Sequence, residues 1–79
     1  MTVTIKYFGM IAERTGTKEE TITLDGDEFD LESLKRHCYA KYKLSDLDAV
    51  KIAVNHSLES SGPLKHGDEV AFLPPFAGG

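Results

Sequence analysis

The chain has 79 residues, of which 41% are hydrophobic and 28% charged, a balance typical of a folded globular domain rather than of a disordered segment. Its formal net charge of −4 disfavours nucleic acid as a partner, because phosphate binding needs a concentrated basic surface. Cys38 is the single cysteine, so the sequence allows no internal disulfide and cannot supply the thiolates of a typical iron–sulfur cluster.

Length and composition predict one domain over residues 1–79, since no stretch of linker composition divides the chain. The sequence shows no signal-peptide pattern and no apolar run near the ~18 residues that a membrane span needs. We therefore expect a cytoplasmic protein that has no membrane partner.

The first predicted strand covers residues 3–8 and alternates with a period of two. Three apolar side chains fall on one face: Val3, Ile5 and Tyr7. Phe8 falls on the opposite, mostly polar face. Either the end of the strand twists this ring into a second contact, or the ring is exposed for a partner.

A short helix and a second strand are predicted next. Residues 9–14 can form one or two helical turns, and Gly16 is well placed to end them. Met10, Ile11 and Ala12 are expected to cover one edge. Residues 20–24 then alternate again, and Asp25-Gly26 turns the chain, so the two strands are expected to form a loose hairpin.

One substantial amphipathic helix is predicted to begin after Asp30, which is placed to cap it. Its apolar stripe recurs at helical spacing: Leu31, Leu34, Cys38 and Tyr42. Because Cys38 lies on this stripe, a small buried hydrophobic residue is favoured over a catalytic nucleophile. The basic residues off the stripe are interpreted as a solvated face: Lys35, Arg36 and Lys41.

The remainder of the chain is predicted to consist of short strands and turns. Residues 44–49 are interpreted as a connection and residues 60–63 as a loop. Residues 51–55 form a short strand, Asn55-His56 its turn, and Leu58 opens a brief extended piece.

The final strand is predicted over residues 69–73, after a turn at residues 65–68. Val70 and Phe72 share one of its faces, and Ala71 and Leu73 share the other. Pro74-Pro75 then removes two backbone donors, so the sheet cannot continue beyond that point.

This order of elements predicts an α+β fold of the β-grasp, or ubiquitin-like, type, in which a mixed sheet wraps around one main helix. The first and last strands are expected to be adjacent at the centre. The other face of the sheet would lack a covering helix, and Phe8, Leu58 and Leu73 could give it exposed apolar area for docking.

The tail, residues 74–79, is predicted to be the reactive part of the chain. The two prolines restrict its backbone, and Gly78 and Gly79 carry no side chains, so the tail can enter a narrow channel. The α-carboxylate of Gly79, with a pKa of ~3.3–3.7, is ionised at neutral pH, but an ATP-dependent partner could activate it as an acyl-adenylate for attack by sulfur. The competing interpretation is a frayed terminus without function.

No internal catalytic or metal site is predicted. The three histidines, His37, His56 and His66, lack the ligand spacing of a metal site. Gly62-Pro63-Leu64-Lys65 lacks the spacing and hydroxyl residue of a phosphate-binding loop. The neighbouring carboxylates Glu19 and Glu20 diverge on a strand and do not form a general acid–base pair.

The chain resembles, over essentially its whole length, the small sulfur-carrying subunits of molybdopterin synthase, within the wider group of ubiquitin-like sulfur carriers. The resemblance is carried by these stretches: Ile5–Phe8, Arg14–Gly16, Ala53–Asn55 with Leu58, Pro63–Leu64, Gly67–Phe72, and above all Pro74–Gly79. Two positions depart from the pattern: Ala12 stands where some relatives carry arginine, and Phe76 is larger than the usual aliphatic residue.

The resemblance implies a cycle centred on Gly79. An ATP-dependent activating enzyme would adenylate it, a sulfur donor protein would convert it to a thiocarboxylate (1-thioglycine), and the large synthase subunit would receive the tail. The residues that would thread into that subunit are Pro74, Pro75, Phe76, Ala77 and Gly78. Sulfur would pass to cyclic pyranopterin monophosphate to build the molybdopterin dithiolene.

The same resemblance implies a heterotetramer of two small and two large subunits, with Phe8, Leu58 and Leu73 facing the large subunit. The small subunit would hold no bound cofactor and contribute no acid or base of its own. Three other functions stay open: a sulfur carrier for thiamin thiazole synthesis, a protein modifier joined through Gly79 to lysines, and a binding module with an inert tail.

Overall fold

The computed structural model describes residues 1–24, 29–44, 50–59 and 61–74. The strands are β1 (Thr2–Tyr7), β2 (Glu19–Thr23), β3 (Phe29–Asp30), β4 (Lys51–Val54), β5 (Ser57–Leu58), β6 (Pro63–Leu64) and β7 (Glu69–Leu73). The helices are α1 (Gly9–Thr15) and α2 (Leu31–Tyr42). The predicted turn at Asp25-Gly26 and most of the predicted connection over residues 44–49 lie outside the described residues.

The main sheet has five strands in the order β2-β1-β7-β4-β5. Its central pair is β1 and β7, which run parallel with Ile5 opposite Val70 and Tyr7 opposite Phe72. The pairs on either side, β1 with β2 and β7 with β4, are antiparallel. The predicted β-grasp arrangement, with the first and last strands adjacent at the centre, is confirmed.

The core lies between α2 and one face of this sheet. The strands contribute Val3, Ile5, Tyr7, Val70 and Phe72, which the period of two placed on shared faces, and also Ile52, for which no face was predicted. The helix contributes Leu31, Leu34 and Cys38. Every one of these nine side chains is at most 6% exposed. Three members of the predicted helix stripe are therefore buried, and the fourth, Tyr42, is partly buried against the core.

Local sequence determines where α2 begins and ends. The Asp30 carboxylate accepts a hydrogen bond from the backbone N–H of Ser33 at 2.8 Å, as its predicted capping role requires. Lys43 adopts a left-handed conformation with φ of 56° and closes the helix through its N–H bond to Tyr39 O. These two caps define the ends of the helix.

The connection between β1 and β2 differs in part from the prediction. Phe8 is not a strand residue: it is the extended residue that precedes α1, with φ of −124°. Gly16 ends α1 in a left-handed conformation, and Ile11 is buried, as predicted. The expectation that Met10 covers the sheet edge is wrong, because this side chain is 46% exposed.

Two features were missed because they have no periodicity. Pro63 and Leu64 form β6, which pairs with Phe29–Asp30 of β3 in a separate two-stranded sheet, so the loop predicted over residues 60–63 is wrong at Pro63. Leu44, assigned to a connection, is fully buried in the core.

The β4–β5 hairpin turns at Asn55-His56, as predicted. Both residues have positive φ, 50° and 73°, which is the backbone that a two-residue hairpin turn requires and that asparagine tolerates. The Asn55 side chain ties this turn to the central strand: its Oδ1 accepts from Glu69 N–H, and its Nδ2 donates to Asp68, each at 3.0 Å.

Candidate functional site at the open face of the sheet

The face of the sheet that points away from α2 is divided into a charged half and an apolar half. The strand register places five residues side by side across it: Glu19, Lys6, Ala71, Ala53 and Leu58. Directly paired residues lie on the same face. The row therefore passes from two charged side chains at the β2 edge to three apolar ones at the β5 edge.

The three predicted docking residues, Phe8, Leu58 and Leu73, all lie in the apolar part of this face. Leu58 is 65% exposed on β5, Phe8 is 44% exposed, and Leu73 is half-buried at the end of β7. The backbone N–H of Phe8 donates to Phe72 O at 3.2 Å, so Phe8 and Leu73 lie at the same end of the central strand pair. Leu58 lies on the same side, two strands away from Leu73.

The small residues Ala53 and Ala71 form the floor between Leu58 and the central strands, a contribution that we did not predict. They lie opposite one another, and Ala53 is only 8% exposed. The pairing of the strands, which the sequence alone does not fix, would have been needed to find them. Together with Leu58, Leu73 and Phe8 they define the surface that we call the apolar half.

Pro74, the first residue of the predicted tail, follows β7 directly and is half-buried. It packs against the start of α1: a Cβ atom placed on Gly9 would lie 3.0 Å from Pro74 Cγ. The base of the tail therefore leaves the domain beside Phe8 and Leu73. The other tail residues named from the sequence lie outside the described residues: Pro75, Phe76, Ala77, Gly78 and Gly79.

The charged half consists of ion pairs on the solvent side of the sheet. Lys6 Nζ lies 2.9 Å from a Glu69 carboxylate oxygen and 4.0 Å from Glu19, and His56 Nε2 lies 3.0 Å from the other Glu69 oxygen. The hydrogen bond to Glu69 raises the pKa of Lys6, and the same bond lowers the pKa of Glu69. Lys6 offsets part of the negative charge of Glu69 and Glu19, and the face has a polar border beside its apolar half.

Comparison with known proteins decides the family. The model of the ThiS family matches residues 5–79 of the chain. The chain belongs to the ThiS family. As a member, it is 34% identical to the molybdopterin synthase sulfur carrier subunit of Escherichia coli (strain K12), a match that covers 98% of this chain and 99% of the relative.

Solved structures agree with this ThiS-family assignment. The complex of subunits 1 and 2 of the molybdopterin-converting factor from Helicobacter pylori 26695 contains a chain with 30% identity and a TM-score of 0.72, with 100% of both chains covered. The small archaeal modifier protein SAMP1 from Haloferax volcanii matches with a TM-score of 0.83 over 100% of both chains, at 22% identity. That second likeness shows the ubiquitin-like fold alone.

A polar cluster on the helix side of this ThiS-family domain was also missed. Glu20 Oε2 accepts hydrogen bonds from Tyr7 at 2.6 Å and from Tyr42 at 2.5 Å, and Lys41 Nζ lies 3.3 Å from Oε1. Partial burial raises the pKa of Glu20, but the bonds from Tyr42, Tyr7 and Lys41 outweigh it and hold the pKa below its ordinary value. The cluster joins β2 to α2.

Cys38 is fully buried, in agreement with the interpretation of its place on the helix stripe. Burial raises the pKa of this thiol to about 11, and its sulfur lies 3.7 Å from the Tyr7 hydroxyl. Because the thiolate is the nucleophilic form, this side chain is unsuited to covalent catalysis at neutral pH.

Within the described ranges, no group of three or more His, Cys, Asp or Glu side chains is placed to hold a metal ion. The helices there are likewise too short and too polar to cross a bilayer. The open face and the base of the tail are therefore the features on which a functional proposal can stand.

Proposed function

We propose that the chain is the sulfur carrier subunit of a molybdopterin synthase, with Gly79 as its C-terminal, sulfur-bearing residue. The observation that carries the proposal is the end of β7. The central strand finishes beside the exposed Phe8 and the half-buried Leu73, and Pro74 continues from it into the sequence Pro75-Phe-Ala-Gly-Gly79. The identity with the Escherichia coli carrier and the family match up to residue 79 support it.

The chemistry begins with an activating enzyme. The ionised Gly79 carboxylate attacks the α-phosphate of ATP, which gives an acyl-adenylate and releases pyrophosphate. A persulfide sulfur of the donor protein then displaces AMP, and reduction of the resulting acyl disulfide by a thiol leaves a thiocarboxylate on Gly79. The domain contributes a terminus without Cβ atoms at its last two residues, which can enter a narrow active site.

The large synthase subunit would take the charged tail and bind the apolar half of the open face. Burial of Leu58, Phe8 and Leu73 would supply the apolar contact area, while the charged half would lie at the polar rim of the interface. Sulfur would pass from Gly79 to cyclic pyranopterin monophosphate, and water would regenerate the carboxylate. Two transfers complete the dithiolene, and two copies of each subunit form the heterotetramer.

Intact-mass analysis tests the first half of this proposal. The protein is incubated with the activating enzyme of its own organism, ATP and a sulfur donor, and we expect one terminal oxygen to be replaced by sulfur. Fragmentation should locate that sulfur on Gly79. Isopeptide-linked lysines would instead favour the protein modifier, and transfer only to a thiazole precursor would favour the thiamin carrier.

The tail variant Gly78→Val tests the second half. A Cβ-branched residue next to Gly79 should abolish sulfur transfer in a synthase assay, because it no longer fits the narrow channel, while the unfolding midpoint stays unchanged. Thr21→Ala, at an exposed position of β2 on the opposite edge of the sheet, is a surface control that should transfer sulfur normally. Full activity of the Gly78→Val protein would contradict the proposed mechanism.

A further inference from the structure

A groove of about 400 Å³ lies between α2 and the β4–β5 hairpin. Its apolar lining consists of Val50, Ile52 and Leu58. Its charged lining consists of Lys35, Lys51 and Glu59. Leu58 belongs both to this groove and to the apolar half of the open face, so the two surfaces are continuous around the β5 edge.

The two lysines give the groove an excess of positive charge in a chain whose formal charge is −4. Lys35 Nζ lies 5.4 Å from the centre of the Tyr39 ring, a cation–π contact between two side chains of α2. Lys51 is exposed at the start of β4, where it lies opposite Leu73 and therefore on the open face at the border of the groove. Among the described residues, neither ammonium is within ion-pair distance of a carboxylate.

The β5 edge also offers backbone hydrogen-bonding groups. Glu59 N–H donates to Ile52 O at 2.9 Å, so the neighbouring pair, Ala53 opposite Leu58, is of the type that does not exchange bonds. The N–H and C=O of Leu58 therefore point away from β4. In the described part of the sheet no strand lies beyond β5.

We propose that this groove binds an extended, acidic segment of the large synthase subunit. The segment would pair with the Leu58 backbone, place an aliphatic side chain against Val50 and Leu58, and set carboxylates beside Lys35 and Lys51. The proposal rests on the proposed function, because it extends the same docking surface around the edge of the sheet. A small molecule fits less well, since the exposed Lys51, Leu58 and Glu59 would leave much of it in solvent.

Charge reversal tests the proposal. Binding of the purified large subunit from the same organism is measured by calorimetry for the wild-type chain and for the double variant Lys35→Glu/Lys51→Glu. We expect the dissociation constant of the double variant to rise about tenfold or more at low salt, since two attractions become repulsions. Its affinity should also change less when salt is raised, because the screened attraction is already lost.

Lys18→Glu is the control for reversal at one lysine, because it makes half the charge change of the double variant next to β2, at the opposite edge of the sheet. This variant should bind within about twofold of wild type. The pair Asp46→Asn/Asp48→Asn, outside the described residues, tests whether the chain's own carboxylates are the counter-charges. If these changes tighten binding and cancel the effect of the lysine reversals, the occupant is the chain itself and the proposal is overturned.

The assay separates two kinds of failure. A wild-type chain that neither binds the large subunit nor acquires sulfur on Gly79 would contradict the proposed function. A wild-type chain that does both, together with a Lys35→Glu/Lys51→Glu variant that binds as tightly as Lys18→Glu, would overturn the groove proposal alone. Circular dichroism of the lysine variants should show an unchanged fold, since Lys18 and Lys51 are exposed and Lys35 is only partly buried.

Discussion

The two faces of the main sheet use adjacent residues of the same strands for opposite purposes. On the helix side, Val70 and Phe72 are fully buried. On the open side, Ala71 and Leu73 are only partly covered and lie beside the base of the tail. Because successive side chains of a strand point to opposite faces, β7 stabilises the core with one set of residues and presents the other set for binding a partner.

The largest expected effect is the loss of Phe72, which stacks edge-on against Tyr7 with ring centres 5.6 Å apart. Phe72→Ala should lower the free energy of unfolding by about 3–5 kcal/mol, measured by urea denaturation, because it leaves a cavity in the core. Its neighbour Leu73→Ala, on the open face, should cost at most about 1 kcal/mol. Equal losses for the two would remove the distinction between the faces.

The variant Glu20→Gln tests whether the polar cluster around Glu20, on the helix side of the sheet, stabilises the fold. Glu20→Gln should cost about 1–3 kcal/mol, because the variant removes the charge that the Tyr7, Tyr42 and Lys41 hydrogen bonds stabilise. Because the folded-state pKa of Glu20 is lowered, its contribution is present above the ordinary value of 4.5 and is lost as pH falls through the folded value.

Acid titration of the unfolding midpoint checks this sign. The wild-type chain should lose more stability than Glu20→Gln between neutral pH and about pH 3, the region in which an ordinary or lowered carboxyl pKa is titrated. The exposed Glu59→Gln serves as the control and should follow the wild type. If the unfolding midpoints of wild type and Glu20→Gln changed with pH in the same way, the ionised Glu20 carboxylate would contribute nothing to stability.

Leu58 gives the smallest change in stability and the sharpest test of the open face. Leu58→Ala should alter the free energy of unfolding by no more than about 0.5 kcal/mol, because the side chain is 65% exposed. It should weaken binding of the large subunit by about 1–2 kcal/mol in calorimetry. Thr21→Ala, at an exposed position of β2 on the opposite edge of the sheet, should leave the affinity unchanged. If it weakened binding as much as Leu58→Ala, the apolar half would not be the docking surface.

Elements with a clear period could be predicted from the sequence, and those without one could not. The inward residues of β1, β7 and α2 followed from spacings of two and of three to four. By contrast, β3 and β6 have two residues each, too few for any alternation, and they depend on a contact between Phe29 and Leu64 that is distant in sequence. Leu44 was missed for the same reason, as one buried residue beside an aperiodic stretch.

For the candidate site, the sequence indicated which apolar residues lie on the uncovered face, but not which residues lie beside them across the paired strands. Phe8 stood out as an apolar residue on the mostly polar face of its strand, and Leu58 and Leu73 were expected to add apolar area to the uncovered face of the sheet. The floor of Ala53 and Ala71 depends on which strands are paired, and no local pattern specifies that. Glu20 carried a signal that we did not use: a period of two places it on the same side as Ile22, and its partner Tyr42 is 22 residues away.

The parallel pairing of β1 with β7 has a consequence for synthesis. The amino-terminal strand cannot complete its pairing until the carboxyl-terminal one has been made, because Ile5 and Tyr7 lie opposite Val70 and Phe72. A chain cut short before β7 has no central neighbour for β1, stays open, and is exposed to proteolysis. Only chains in which the last strand is complete can therefore fold and resist proteolysis.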